Sequence, residues 1–237
     1  MNKCVDYLKL TLKNDDDFVV RELDSGKKDK IYIAFFESLV DSTSVNSFII
    51  QNIHNYLNYN KKIKDIKSLL GGPKCSSIDS EEKIFYYLNN GFTVVIYKNE
   101  MYAIETKGNL DRGISTSQTE QNMYGPKDAF CENYQKNLGV LKRRIKNKKL
   151  KIETVDRGEY TKSKAAIIYL EDKVDPQSLE ILKEQFNKFK DREVIDSYDL
   201  MNEISKNSVF PTILKTEKPA IAARYILKGY ISYRCKI

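Results

Sequence analysis

The sequence concentrates its cations in one short stretch. Seven basic side chains fall within ten residues: Lys142, Arg143, Arg144, Lys146, Lys148, Lys149 and Lys151. Residues 1–108 carry 15 basic and 15 acidic side chains, whereas residues 109–237 carry 25 and 18, which is the whole net charge of +7. Such a patch attracts phosphate groups, on nucleic acid or on anionic lipid. A helix C-terminus would account for two or three of these cations. The sequence therefore predicts an interface or headgroup-binding role for the first six.

Residues suited to catalysis or metal binding are few. His54 is the only histidine and the four cysteines form no CxxC pair, so no zinc finger and no Ser-His-Asp or Cys-His site is indicated. Residues 15–17 are three successive aspartates, interpreted as a solvated turn because the glycine and terminal glutamate of a calcium loop are missing. Residues 71–74 (GGPK) lack the phosphate-loop pattern and are interpreted as a helix stop. We therefore expect no enzyme activity and no cofactor.

Composition indicates a folded chain in a reducing compartment. Of the 237 residues, 41% are hydrophobic and 31% are charged, which is typical of a globular protein. The longest apolar runs, residues 31–36 and 165–170, are far shorter than the roughly 20 residues that span a membrane. The polar start of the chain does not resemble a secretory signal. We expect a soluble chain whose cysteines are reduced and buried.

Hydrophobic periodicity predicts a first lobe over residues 1–108. Strands are predicted over residues 18–23, 30–36, 92–97 and 101–106, the last two as a hairpin. Helices are predicted over residues 44–57 and 63–70, and over residues 79–88 from a capping box formed by Asp79 and Glu82. Residues 109–123 lack periodicity and are rich in polar residues and glycine, which predicts a linker.

The second predicted lobe covers residues 124–237 and alternates strands with helices. A long amphipathic helix of about 30 Å is predicted from Pro126 to Ile145. Strands are predicted over residues 150–155, 164–170, 193–196 and 230–237, and helices over residues 176–189, 198–204 and 219–227. This alternation predicts an α/β fold (α+β, with mixed sheets) of two α/β lobes joined by a linker, with some parallel strand pairing.

Three segments of the second lobe resemble one known signature in order and spacing. Residues 124–145 resemble GPxEGF…N…L.RRRI, residues 168–200 resemble YLxxxxNPxL…ILDSxxI, and residues 210–219 resemble FPQ…TERP. This is the signature of the GerA family, the A subunits of spore germinant receptors. The matching positions are Gly125, Pro126, Asp175, Pro176, Asp196, Ser197, Glu217 and Pro219. Lys127, Asp128 and Lys218 depart from the family pattern, as does the segment after residue 227, which indicates a divergent member.

The resemblance implies a non-enzymatic N-terminal domain on the cytosolic face of the spore inner membrane. Its expected role is receptor assembly and signal transduction in nutrient-triggered germination. The implied partners are B and C germinant-receptor subunits, and the resemblance allows a homo-oligomer formed through the A subunit. Arg143 and Arg144 are expected to face a carboxylate, with Glu217 as an intramolecular candidate, or the anionic headgroups of the membrane surface. The first lobe matches none of these motifs, which fits a variable region.

The residue pattern is also compatible with two other classes of function. The 142–151 patch could serve a nucleic-acid-binding α/β module, which predicts binding that falls steeply with salt. Nucleic acid is not favoured, because the nearest aromatic side chains, Tyr134 and Tyr160, lie in no RRM, KH or helix-turn-helix pattern. A two-lobed small-molecule binder would hold its ligand between the lobes near residues 108–124, which predicts ligand-dependent stabilisation.

Overall fold

The computed structural model describes residues 3–25, 29–59, 62–109, 128–188, 190–194, 197–205 and 213–235. The chain divides into two compact units. The first consists of the described parts of Met1–Lys13, Asp17–Leu110 and Lys146–Lys148, and the second of those of Asn14–Asp16, Asp111–Ile145 and Lys149–Ile237. Apart from Asn109, the predicted linker lies outside the described residues, as do Gly125, Pro126 and Asp196.

The first unit is built on a five-stranded sheet. Its elements are α1 (Lys3–Thr11), β1 (Phe18–Asp24), β2 (Lys30–Phe36), α2 (Ser42–Val45), a π-helical stretch (Asn46–Ile50), α3 (Gln51–Tyr59), a 3₁₀ turn (Lys67–Leu69), β3 (Cys75–Ser77), α4 (Glu81–Asn89), β4 (Phe92–Tyr97) and β5 (Glu100–Glu105). The strand order is β1-β2-β4-β5-β3, and every pair is antiparallel.

Alternating side chains of β2 and β4 build two separate cores in the first unit. Tyr32 and Phe36 of β2 pack with α1 and α4 on one face of the sheet. Ile31 and Ile33 of the same strand pack with the helical stretch 42–59 on the other face. Successive residues of a strand point to opposite faces, so a strand covered on both sides must be apolar throughout. The apolar runs at residues 31–36 of β2 and 94–97 of β4 have this cause.

The second unit repeats the three-layer arrangement on a smaller sheet. Its elements are α5 (Tyr134–Arg144), β6 (Leu150–Arg157), β7 (Ser163–Leu170), α6 (Pro176–Lys188), α7 (Ser197–Ser205), α8 (Pro219–Leu227) and β8 (Ser232–Cys235). The strand order is β6-β7-β8, again antiparallel. Ala166 and Ile168 of β7 pack with α5 and α8, whereas Ala165 and Ile167 pack with α6 and α7.

The mixed α+β class is confirmed, but the expected parallel pairing is wrong. All strand pairs among the described residues are antiparallel. Helical connections usually return the chain to a parallel neighbour, yet here β2 and β4 are sheet neighbours although β3 and several helical segments separate them along the chain. Likewise, the described helices α6, α7 and α8 lie between β7 and β8, and β8 still enters antiparallel to β7.

Several helices differ from the prediction: α2 begins at Ser42 rather than at residue 44, only the 3₁₀ turn Lys67–Leu69 stands within the helix predicted over residues 63–70, and α5 and α4 begin later than predicted. Residues 128–133 are not helical and α5 begins at Tyr134, because the Asn133 side chain caps it by accepting a hydrogen bond from Lys136 N at 2.9 Å. At 1.5 Å per residue, the 11 residues of α5 span about 16 Å rather than 30 Å. The N-cap of α4 is Ser80, while Asp79 forms an ion pair with Lys83 at 2.7 Å. Of the strand predicted over residues 193–196, the described residues 193–194 are not in a strand.

Candidate interaction surface

The structure separates the seven cations of the basic run into buried, paired and exposed groups. Lys142, in the last turn of α5, is buried inside the second unit, and its Nζ lies 2.6 Å from Oδ2 of Asp15. The two side chains are 2% and 1% exposed. Lys151 on β6 is also buried, with its Nζ 3.6 Å from Oε2 of Glu171. Lys142 is therefore a structural cation in the interior, and its position leaves it out of any surface that meets headgroups.

Arg144 is held within the second unit by a carboxylate nearby in sequence. Its guanidinium lies 2.6 Å from Oδ2 of Asp128 and also donates to the Val140 carbonyl. Arg144 is about one quarter exposed, which makes this a semi-buried charge-assisted pair. Asp128 is one of the positions where the chain departs from the GerA signature. Glu217 lies close to the same segment, because its backbone carbonyl accepts a hydrogen bond from Phe130 N at 2.8 Å.

Four cations of the run are exposed: Arg143, Lys146, Lys148 and Lys149. Lys149 pairs with Asp172 at 2.9 Å in the second unit, and this contact lowers the pKa of the Asp172 carboxyl. Lys146 and Lys148 pack instead in the first unit, against α4. The basic run thus does not form one patch of seven charges.

The three successive aspartates are not a solvated turn. Asp15 and Asp17 are buried, and Asp17 accepts hydrogen bonds from the backbone N and the hydroxyl of Ser38 at 2.8 and 2.6 Å. Asp16 lies along β6: its backbone N donates to the Ile152 carbonyl at 2.8 Å, and its carboxylate accepts from Thr154 N at 2.6 Å. No local pattern indicates these roles, since each partner is distant along the chain.

A second charged cluster, not predicted from the sequence, lies on the sheet of the second unit. Glu153 on β6 accepts a hydrogen bond from the Tyr169 hydroxyl of β7 and pairs with Lys183 of α6 at 2.6 Å. Burial and the hydrogen bond to Glu153 together raise the pKa of the Tyr169 phenol. The phenol therefore stays protonated and acts as a donor, so the cluster joins β6, β7 and α6 rather than presenting a reactive group.

The remaining signature positions that the structure describes mark the starts of helices. Asp175 caps α6, because its carboxylate accepts from Ser178 N at 2.9 Å and from the Ser178 hydroxyl at 2.6 Å, and these bonds lower its pKa. Pro176 and Pro219 are the first residues of α6 and α8, where the missing N–H of proline has no cost. Ser197 is the first residue of α7.

The cysteine and histidine side chains show no arrangement for catalysis in the described part of the chain. His54 is exposed on α3. Burial raises the pKa of the Cys4 thiol to about 11 and also raises the pKa of Cys75, so both thiols are protonated near neutral pH. Across the residues that the structure describes, no three His, Cys, Asp or Glu side chains come together as metal ligands.

A membrane-spanning helix is not found in the described ranges. Neither α6, with 13 residues, nor the continuous helical stretch 42–59 is long and apolar enough to cross the hydrocarbon core, which takes about 20 apolar residues.

Two three-layered α+β units in this order are the fold of a germinant-receptor N-terminal domain. The crystal structure of the N-terminal domain of the A subunit of the Bacillus megaterium spore germinant receptor GerK3 matches with a TM-score of 0.69 and 21% identity. The match covers 98% of this chain and 89% of that one. The family model described as Bacillus/Clostridium GerA spore germination protein matches residues 6–233. The chain belongs to the GerA family, and the resemblance seen in the sequence is confirmed.

Curated relatives agree with the family assignment. The chain is 26% identical to spore germination protein KA of Bacillus subtilis over 236 residues, which is 93% of this chain and 42% of that protein. It is 27% identical to spore germination protein GerQA of Bacillus cereus over 235 residues, which is 97% of this chain and 46% of that protein. The chain thus spans less than half the length of these two relatives.

Proposed function

We propose that the chain is the N-terminal domain of a spore germinant receptor A subunit and acts without enzymatic chemistry in nutrient-triggered germination. The observation that carries the proposal is the family match over residues 6–233. The fold supports it, because the similarity to the GerK3 domain extends over both units rather than one. In this proposal the domain acts in receptor assembly and signal transduction, and its partners are the B and C subunits. A homo-oligomer would form through the A subunit.

The place of action in this proposal is the cytosolic face of the spore inner membrane. The exposed cations of the run are Arg143 and Lys149 in the second unit and Lys146 and Lys148 in the first. Arg144 and Lys142 act within the second unit, through their contacts with Asp128 and Asp15. We therefore expect that neutralising the exposed cations changes assembly or signalling without unfolding the domain. Substitutions at Lys142 should instead lower the free energy of unfolding.

The experiment places variants of this domain in the intact receptor. Spores would carry the receptor with an in-frame deletion of residues 6–233, with R143Q/K149Q, or with the wild-type chain. Nutrient-triggered germination is followed in a mixture of amino acids and sugars, and the B and C subunits are quantified in the inner membrane. We expect the deletion to abolish the response that depends on this receptor and to lower recovery of the B and C subunits. Normal germination and normal B and C levels in the deletion strain would contradict the proposal.

A further inference from the structure

One surface of the first unit combines exposed aromatic, aliphatic and basic side chains. It consists of the outward sides of α1 and α4 together with Lys146–Lys148, and is called the α1/α4 surface below. The Tyr7 ring of α1 meets the Phe85 ring of α4 edge-on at 6.1 Å, and Lys148 Nζ lies 5.3 Å from the centre of the same Phe85 ring. These contacts place α1, α4 and the 146–148 segment on one continuous surface.

Lys146 is fixed at the C-terminal end of α4. Its Nζ lies 2.6 Å from Oδ1 of Asn90, the C-cap residue, whose amide nitrogen donates to the Tyr86 carbonyl at 2.6 Å. A cation is favoured there because the helix dipole leaves partial negative charge at that end. The exposed carboxylates Glu81 and Glu82 lie in the first turn of α4. At 1.5 Å per residue, Glu82 is about 12 Å from Asn90 along the axis, so the acidic and basic ends are separated.

The outward side of α1 adds both charge and apolar area. Its core-facing residues are Cys4, Val5 and Leu8, whereas Lys3, Tyr7 and Leu10 follow at helical spacing on the opposite side, with Lys13 just beyond the helix. Leu10 is 74% exposed, and Tyr86 of α4 is 67% exposed. Tyrosine has an apolar ring and a polar tip, which suits the boundary between water and acyl chains.

We propose that the α1/α4 surface docks on an anionic lipid bilayer. Lys146 and Lys148 contact headgroup phosphates, while Tyr7, Tyr86 and Leu10 enter the headgroup region. The α1/α4 surface fits an anionic bilayer because it combines basic side chains with exposed apolar ones. Surfaces that bind membranes reversibly have this composition. A nucleic-acid backbone would use the lysines but would gain nothing from an exposed leucine. The inference rests on the proposed function, because a receptor domain held beside a membrane needs only weak affinity for its surface.

The test is flotation of the purified chain with phosphatidylcholine vesicles, with and without phosphatidylglycerol. Each lysine near such a surface contributes about fivefold in partitioning, so K146Q/K148Q is expected to bind about 30-fold more weakly. L10S is expected to lower binding while leaving its salt dependence unchanged. The matched control is K162Q/K164Q, which removes the same charge from exposed lysines of the second unit. Circular dichroism and thermal unfolding check that each variant is folded.

The salt series and two competitors identify the source of the phosphate. Raising salt from about 0.1 M to about 1 M should release the chain from anionic vesicles. Inorganic phosphate should compete poorly, because it offers no apolar boundary. Four results would each overturn lipid docking. K162Q/K164Q could lose as much binding as K146Q/K148Q, or the wild-type chain could bind neutral vesicles as well as anionic ones. The chain could also bind no vesicles, or bind a random DNA duplex in preference to them. Flotation measures the purified chain alone, so its failure leaves the receptor role to the germination assay.

Discussion

The buried ion pair between Asp15 and Lys142 makes the second unit sensitive to a single carboxylate. The Lys142 ammonium and the Asp15 carboxylate are 2.6 Å apart and at most 2% exposed. Replacing Asp15 with alanine leaves a buried ammonium without this counter-ion. Removing one partner of a buried pair costs about 3–5 kcal/mol, which is a large part of a typical unfolding free energy of about 5–15 kcal/mol. We expect the melting temperature to fall by on the order of 10 °C.

The assay is guanidinium unfolding followed by circular dichroism. Asp16→Ala is the matched control, because it makes the same substitution one residue along, at an exposed carboxylate that accepts a hydrogen bond from Thr154 N. That change should cost about 1 kcal/mol, the usual net value of one hydrogen bond. The double variant Asp15→Ala/Lys142→Met removes both charges and should recover most of the loss, since buried pairs are often replaced by apolar residues at little cost.

Two outcomes would refute this reasoning. Equal destabilisation by Asp15→Ala and Asp16→Ala would show that the buried charge is not what matters. Failure of Lys142→Met to rescue Asp15→Ala would show that the loss arises elsewhere, in the chain path of residues 14–16.

Three further predictions concern the second unit. Backbone N–H groups of Tyr160 and Thr161 donate hydrogen bonds to the Glu193 carboxylate and lower its pKa in the folded state. The carboxylate therefore stabilises the fold above the unfolded-state pKa of about 4.3, and this stabilisation is lost as the pH falls through the lower folded-state pKa. The difference in melting temperature between wild type and Glu193→Gln should close on acidification. Gly229 has φ of +95° and an added Cβ would lie 2.5 Å from the Lys173 carbonyl, so Gly229→Ala should cost more than about 1 kcal/mol in urea unfolding. Ile226 of α8 is fully buried, and Ile226→Ala should cost about 2–5 kcal/mol in the same assay.

Elements with strong local signals could be predicted from the sequence. The strand Lys30–Phe36 and the helix Pro219–Leu227 have the predicted bounds, because an apolar run marks the first, and Pro219 and Gly229 delimit the second. Helix α1 and strand β3 were not predicted: β3 has only three residues, and its partner β5 lies more than 20 residues away. Strand direction was wrong for the same reason, since pairing partners are set by tertiary packing and not by local pattern.

The candidate site could be predicted only as a stretch of sequence. Lys142 and Lys146 look equivalent in the run, yet one is buried against a carboxylate 127 positions away and the other is exposed beside Asn90. Composition locates the charge, but burial depends on which distant segment packs against each lysine. Exposed apolar residues such as Leu10 and Tyr86 were also not predicted as a surface, because a helical stripe does not show which of its sides is covered.

The short segment at residues 14–16 also covers backbone groups of β6 that could otherwise pair with another strand. β6 is an edge strand of its sheet, and the outward N–H of Thr154 and the carbonyl of Ile152 are taken up by Asp16. An uncovered edge strand offers these groups to any other chain in solution. A variant in which residue 16 no longer takes up these groups, such as Asp16→Pro, which removes both the backbone N–H and the carboxylate, would therefore expose a template for self-association on β6, and it should form concentration-dependent dimers that the wild-type chain does not form. Asp16 thus occupies the two backbone groups of β6 through which this edge would pair with another strand.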